Sequence, residues 1–231
     1  MKKIQAIALL FLVYTASFGQ SSYKNQIPKN WKIISTIEGD LNKDAIADLV
    51  LIIEDTNPDN YILNDGFGED TLNINARGIL VFFKDNKNNY TLIEKNLNGF
   101  ILSQNSEESP CLADPLMWNG DVSISKNILI IHFNYWLSCG SWYVNDATYK
   151  FRFQHNTFEL IGFDHSEFHR ASGEESSTSI NYSTKKMENT TGLNMFEESK
   201  PVTTRKTFNI NKLYQLKECT DETYFEILDI K

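Results

Sequence analysis

The segment Gly39-Asp40-Leu41-Asn42-Lys43-Asp44-Ala45-Ile46-Ala47-Asp48-Leu49-Val50 carries side-chain oxygens at positions one, three, five and nine, counted from Asp40. Calcium is a hard cation that takes six to eight oxygen ligands at about 2.3–2.6 Å. A tightly wound loop aims alternate residues at one point, so Asp40, Asn42 and Asp44 can converge there. Ile46 would add its backbone carbonyl at position seven, and Asp48 would close the ring. Three carboxylates supply charge to offset the desolvation of a divalent ion. Leu51 stands at position twelve, where a helical EF-hand needs a glutamate, so that motif is excluded.

At these residues the chain resembles the single calcium-loop repeats of integrin-type and related extracellular β proteins, the FG-GAP or VCBS class. There the pattern Asp-x-Asp/Asn-x-Asp-Gly-x-x-Asp-Leu joins two strands of a sheet. The resemblance implies that Asp40, Asn42, Asp44, Ile46 and Asp48 are calcium ligands. The usual glycine is Ala45 here. If that position needs a left-handed backbone, alanine costs about 1 kcal/mol and weakens binding without abolishing it. Over GDLNKDAIADLVLI, NDGFGEDTLNINARGILVFFK, ATYKFRF…FELIGFD and SINYSTKK the chain also resembles a group of uncharacterised secreted proteins from Bacteroidetes-type bacteria. That group implies no activity.

Other residues with chemical potential are weaker candidates. Cys139-Gly140-Ser141-Trp142 lacks the second cysteine of the papain string. His165 and His169 flank Glu167 at a spacing that would suit zinc on a helix, yet they follow a strand-like run. Residues four apart on an extended chain lie more than ~13 Å apart, so two solvated histidines are expected. Asp65, Glu69 and Asp70 in NDGFGED read as a flexible acidic loop, or as the acids of an extracellular hydrolase. Trp118, Tyr135, Trp136, Trp142 and Tyr143 would form a stacking platform if exposed; next to strands they are expected in the core. The chain has no nucleophile elbow, phosphate-binding glycine loop or dinucleotide fingerprint.

The elements that must position these residues are strands. Short β-branched and aromatic runs alternate with Asn, Asp, Gly and Lys clusters. They predict strands at 31–37, 48–54, 78–84, 90–94, 122–125, 128–133, 147–153 and 158–163, with weaker ones at 179–183, 204–210 and 224–228. The run Leu49 to Ile53 does not alternate, so it should be central and buried on both faces. The 55–77 stretch reads as a long excursion, and 174–177 and 188–200 as mobile loops. The fold class expected is all-β, antiparallel sheets in a sandwich or propeller-like stack, with few or no helices in the mature domain.

The N-terminus predicts export. Lys2 and Lys3 precede an apolar run from Ala6 to Tyr14, and Ser17 and Gly19 fit a peptidase site before Gln20. The expected organisation is a signal peptide at 1–19 and one β-rich domain at 20–231, secreted or periplasmic. The apolar run is far short of the about 20 residues that span a bilayer, and no cysteine stands at the cleavage site for a lipid anchor. The net charge is −8, and losing Lys2 and Lys3 makes it more negative. With no basic cluster, nucleic acid is excluded as a partner; an unknown protein or glycan is expected instead. An oxidising compartment permits a disulfide, and the reading favours Cys111 with Cys139, worth about 3.6 kcal/mol in the chain-entropy model. Pairs involving Cys219 stay open at this point. The function expected is a calcium-stabilised, non-catalytic domain for binding or interaction; the alternative is the hydrolase.

Overall fold

The computed structural model describes residues 23–230; the expected signal peptide lies outside them. Among the described residues thirteen strands form three antiparallel sheets. The first sheet has order β1-β2-β5-β6, from β1 (Trp31–Gly39), β2 (Asp48–Asp55), β5 (Arg77–Lys84) and β6 (Tyr90–Asn96). Between β2 and β5 the small hairpin β3 (Tyr61–Leu63) and β4 (Thr71–Asn73) occupies the predicted excursion. The second sheet is a seven-stranded meander in which every strand pairs with its chain neighbour. It runs through β7 (Asp121–Ser125), β8 (Ile128–Trp136), β9 (Tyr143–Gln154), β10 (Thr157–His169), β11 (Glu174–Asn181), β12 (Lys186–Asn194) and β13 (Val202–Thr207). One short helix, α1 (Thr223–Leu228), follows.

The all-β expectation holds, and the burial pattern explains it. β2 lies between β1 and β5, and its residues alternate between two apolar clusters. Val50 and Ile52, with Ile79 and Val81 of β5, share the main core with Leu129, Ile131, Phe133, Tyr149, Phe151 and Phe158 of the seven-stranded sheet. Leu49, Leu51 and Ile53 face the other way, under Tyr23, Ile27, Trp31 and Tyr90. Both faces of β2 are therefore covered, which is why its sequence does not alternate.

Buried polar groups fasten the parts together. Arg77 Nε donates to Glu54 at 2.8 Å, and Lys32 adds a second contact to Glu54 at 2.8 Å. Both Arg77 Nη atoms grip Asp114, at 2.8 and 2.7 Å. Glu94 of β6 accepts from Thr157 Oγ1 and from Phe158 N of β10, joining the two sheets. Asn96 donates to the carbonyls of Leu216 and Cys219, which seats the C-terminal segment on the core.

Three local expectations are corrected. Residues 174–177 and much of 188–200 are strand, because β11 and β12 extend the meander through backbone pairing and need little apolar burial. The 224–228 run is helix: a short apolar stretch does not by itself distinguish the two states. The tight β9–β10 hairpin has His155 and Asn156 at positive φ, 51° and 62°, in a two-residue connection.

Candidate functional site

The 39–48 loop is the connection between the antiparallel neighbours β1 and β2. Gly39 is required where the loop leaves β1, since a Cβ there would meet Ile124 Cγ2 of β7 at 2.8 Å. Leu41 is buried beneath the loop and anchors it, and Asn127 Nδ2 donates to the Asp40 carbonyl at 2.8 Å. Inside the loop the acids organise backbone amides. Asp40 accepts from Lys43 N at 2.6 Å and Ala45 N at 3.1 Å; Asp44 accepts from Ile46 N at 2.8 Å. Lys43 and Ala45 both stand in the left-handed region, with φ 71° and 66°.

Asp48 is fully buried, and its two oxygens accept from Leu41 N at 2.8 Å and Lys84 N at 3.0 Å. Burial pushes its carboxyl up; the two amide bonds oppose that, and the charges of Asp44 and Asp40 add to the rise. The charges of Asp40 and Asp44 thus act on Asp48 across one small region, and no Lys or Arg side chain among the described residues forms an ion pair with these acids. No three His, Cys, Asp or Glu side chains are already gathered as metal ligands among the described residues. The donor set nonetheless fits a hard divalent cation: it is all oxygen and anionic, and each carboxylate oxygen keeps a second lone pair beyond its amide bond.

A second constellation lies at the end of β8. Segment 111–118 runs beside that strand: Leu112 bridges Leu137, Ala113 N donates to the Trp136 carbonyl, and Asn134 N donates to the Pro115 carbonyl. Cys111 and Cys139 are bonded across a separation of 28 residues, which resolves the cysteine assignment and leaves Cys219 free and buried. Trp118, 62% exposed, stacks on Trp136 with centroids 6.1 Å apart and planes 17° from parallel. Beyond Trp136 the Arg170 guanidinium lies 5.3 Å from that ring and 5.8 Å from Trp142. Trp136 therefore contacts both Trp118 and Arg170, and Arg170 contacts both Trp136 and Trp142. Beside it opens a cleft of ≈ 420 Å³ whose walls include Glu69, Gln104 and Asp114.

The expectation that these aromatics belong to the core is thus corrected for Trp118, Trp142 and Tyr143, which are exposed; Tyr135 does pack on the core. Alternation predicts burial only while the strand lasts, and these residues sit at or past strand ends. Arg170, which joins the ladder, had no signal in the sequence, because its partners come from a different hairpin.

The remaining candidates separate. His165 and His169 both lie on β10. His165 is half-buried: it meets the Tyr224 hydroxyl at 3.0 Å, and burial lowers its pKa. His169 Nδ1 contacts Ser172. In the β3–β4 loop, Asn64 closes the turn by donating to the carbonyls of Phe67 and Glu69. Asp65 and Asp70 are exposed there, while Glu69 reaches the cleft. Cys139 of the papain-like string is consumed by the disulfide and is no nucleophile.

No helix among the described residues is long and apolar enough to cross a membrane. Comparison of the chain with known protein families, with curated proteins and with solved structures gives no match.

Proposed function

We propose that this chain is an exported, non-catalytic glycan-binding domain, stabilised by calcium in an FG-GAP/VCBS-like loop. Asp40, Asn42, Asp44 and Asp48 would hold the ion through side-chain oxygens, with the Ile46 carbonyl. The ion's role is structural: it would cancel the mutual repulsion of the three acids and lock the β1–β2 connection. The signal-like N-terminus and the Cys111–Cys139 bond support an oxidising, non-cytoplasmic compartment.

The observation that carries the binding assignment is the exposed Trp118, backed by Trp136 at the mouth of the cleft. A flat, rigid indole offers an apolar face to a sugar ring at little entropic cost, and polar groups alongside read its hydroxyls. Glu69 and Gln104 supply such groups. Hydrolysis is disfavoured because Asp114, the other acid of the cleft, is held by both Arg77 nitrogens and by the amides of Leu116 and Met117. That leaves Glu69 without a second free carboxylate among the residues lining the cleft to share acid and base roles.

The test is a screen of the protein against immobilised oligosaccharides, followed by titration of tryptophan fluorescence with a soluble hit. Trp118→Ala should weaken that binding by at least about tenfold, the worth of one buried stacking contact, with no change in fold. Retained binding in that variant, or consumption of the glycan that stops in Glu69→Gln, would overturn the assignment.

A further inference from the structure

A different pocket lies where α1 and the segment before it meet the seven-stranded sheet. Its volume is ≈ 270 Å³ and its lining is mostly apolar. Phe100, Phe133 and Tyr149 form the floor, each no more than 2% exposed. Their rings meet edge to face: Phe100 to Tyr149 at 5.0 Å and 86°, Phe100 to Phe133 at 5.8 Å and 89°. The walls are Tyr135, Tyr224 and Phe225. Tyr224 stands 5.4 Å from Tyr135 with planes at 47°, and 5.1 Å from Phe225 with planes at 82°. Rings from separate parts of the chain therefore line one space.

Two observations set the character of what this space can hold. First, among the lining residues there is no Lys, Arg or His, and one carboxylate, Asp221, stands at the rim. Asp221 Oδ1 caps Glu222 N at 3.1 Å, and Oδ2 has no partner among the described residues. Second, Phe225 is 61% exposed at the mouth, so one ring of the box stands open to solvent. The Tyr224 ring, by contrast, is fixed by its hydroxyl contact to His165 at 3.0 Å.

We propose that this aromatic box, formed by Tyr135, Tyr149, Tyr224 and Phe225 with Asp221 at its rim, binds a methylated ammonium group. The faces of aromatic rings are electronegative and attract cations, most strongly where the cation is desolvated. Ring hydroxyls stay neutral here, since burial pushes the phenol of Tyr135 and that of Tyr149 well above their ordinary range. A bare ammonium is strongly hydrated and would lose several hydrogen bonds in an apolar box with one carboxylate. A quaternary ammonium has none to lose, and its methyl groups match the apolar walls. The volume admits such a head group with a short tail, and the tail's polar end would reach Asn145 and Thr220. This site shares no lining residue with the tryptophan cleft and does not depend on the glycan assignment.

The probe is choline, titrated into the purified protein by calorimetry, with 3,3-dimethylbutan-1-ol as its neutral isostere. Choline should bind saturably, and the isostere about tenfold or more weakly, the difference expected of a desolvated cation–π site. Asp221→Asn changes an exposed rim residue, so the variant should fold normally and bind choline about tenfold more weakly. Tyr224→Leu should lose binding, and Trp118→Ala should keep it. Equal binding of alcohol and choline would make the box a generic apolar hole and overturn the proposal. Saturable choline binding that survives both Asp221→Asn and Tyr224→Leu would place the site elsewhere, and absence of saturation at tens of millimolar choline would also overturn it.

Discussion

Ala45 stands at φ 66° where the 39–48 loop turns back towards β2, and its Cβ crowds the backbone in that conformation. Glycine carries no such penalty, so Ala45→Gly should raise stability by about 1 kcal/mol in urea unfolding, with or without calcium. Glu54 is the other residue with a sharp consequence. Burial alone would raise its carboxyl, but hydrogen bonds from Lys32 and Arg77 overcome that and hold it below its ordinary 4.5. A depressed folded value means that its contribution is fully present above pH 4.5 and is lost as pH falls through the folded value. Glu54→Gln should remove that part of the acid dependence. It should also cost about 3 kcal/mol at neutral pH, because Arg77 stays buried with half its partners gone. Parallel urea titrations of both proteins at several pH values measure both effects.

Among the elements, the segment 111–118 has no strand or helix of its own and borrows its order from β8 and the disulfide. Cys139→Ser should destabilise the protein by about 3–4 kcal/mol, from the restored freedom of the unfolded chain. It should also loosen the Trp118–Trp136 stack, seen as a red-shifted tryptophan emission before global unfolding begins. β2 could be read from its uninterrupted apolar run, and β5 with β6 from the loop between them. β11 and β12 could not: their residues are largely polar, and they are strands because a meander offers each new edge a row of unpaired backbone groups. Helix α1 escaped for the opposite reason. Its apolar residues suit either state, and Asn96 of a distant strand holds the segment before it in place.

For the whole molecule, the proposed calcium loop makes a prediction about stability. An ion that binds only the folded protein stabilises it by RT ln(1 + [L]/Kd), about 2.7 kcal/mol at a hundredfold excess over Kd. Melting temperature should therefore rise with calcium in the millimolar range and fall back with chelator, and Asp44→Ala should abolish the shift; a flat response in the parent protein would reduce the loop to a turn. The chain by itself determined the strand-rich class, the doubly buried β2, the acid spacing of the 39–48 loop and the preferred cysteine pair. Each of these is local: periodicity, residue type and short separations carry the information. Only the tertiary structure decided which aromatics face solvent, that Arg170 slots between Trp136 and Trp142, and that Asp114 is neutralised by Arg77. It alone assembled the aromatic box at α1, from Tyr135, Tyr149, Tyr224 and Phe225. Those contacts join residues tens of positions apart, and sheet order, which no local pattern encodes, is what brings them together.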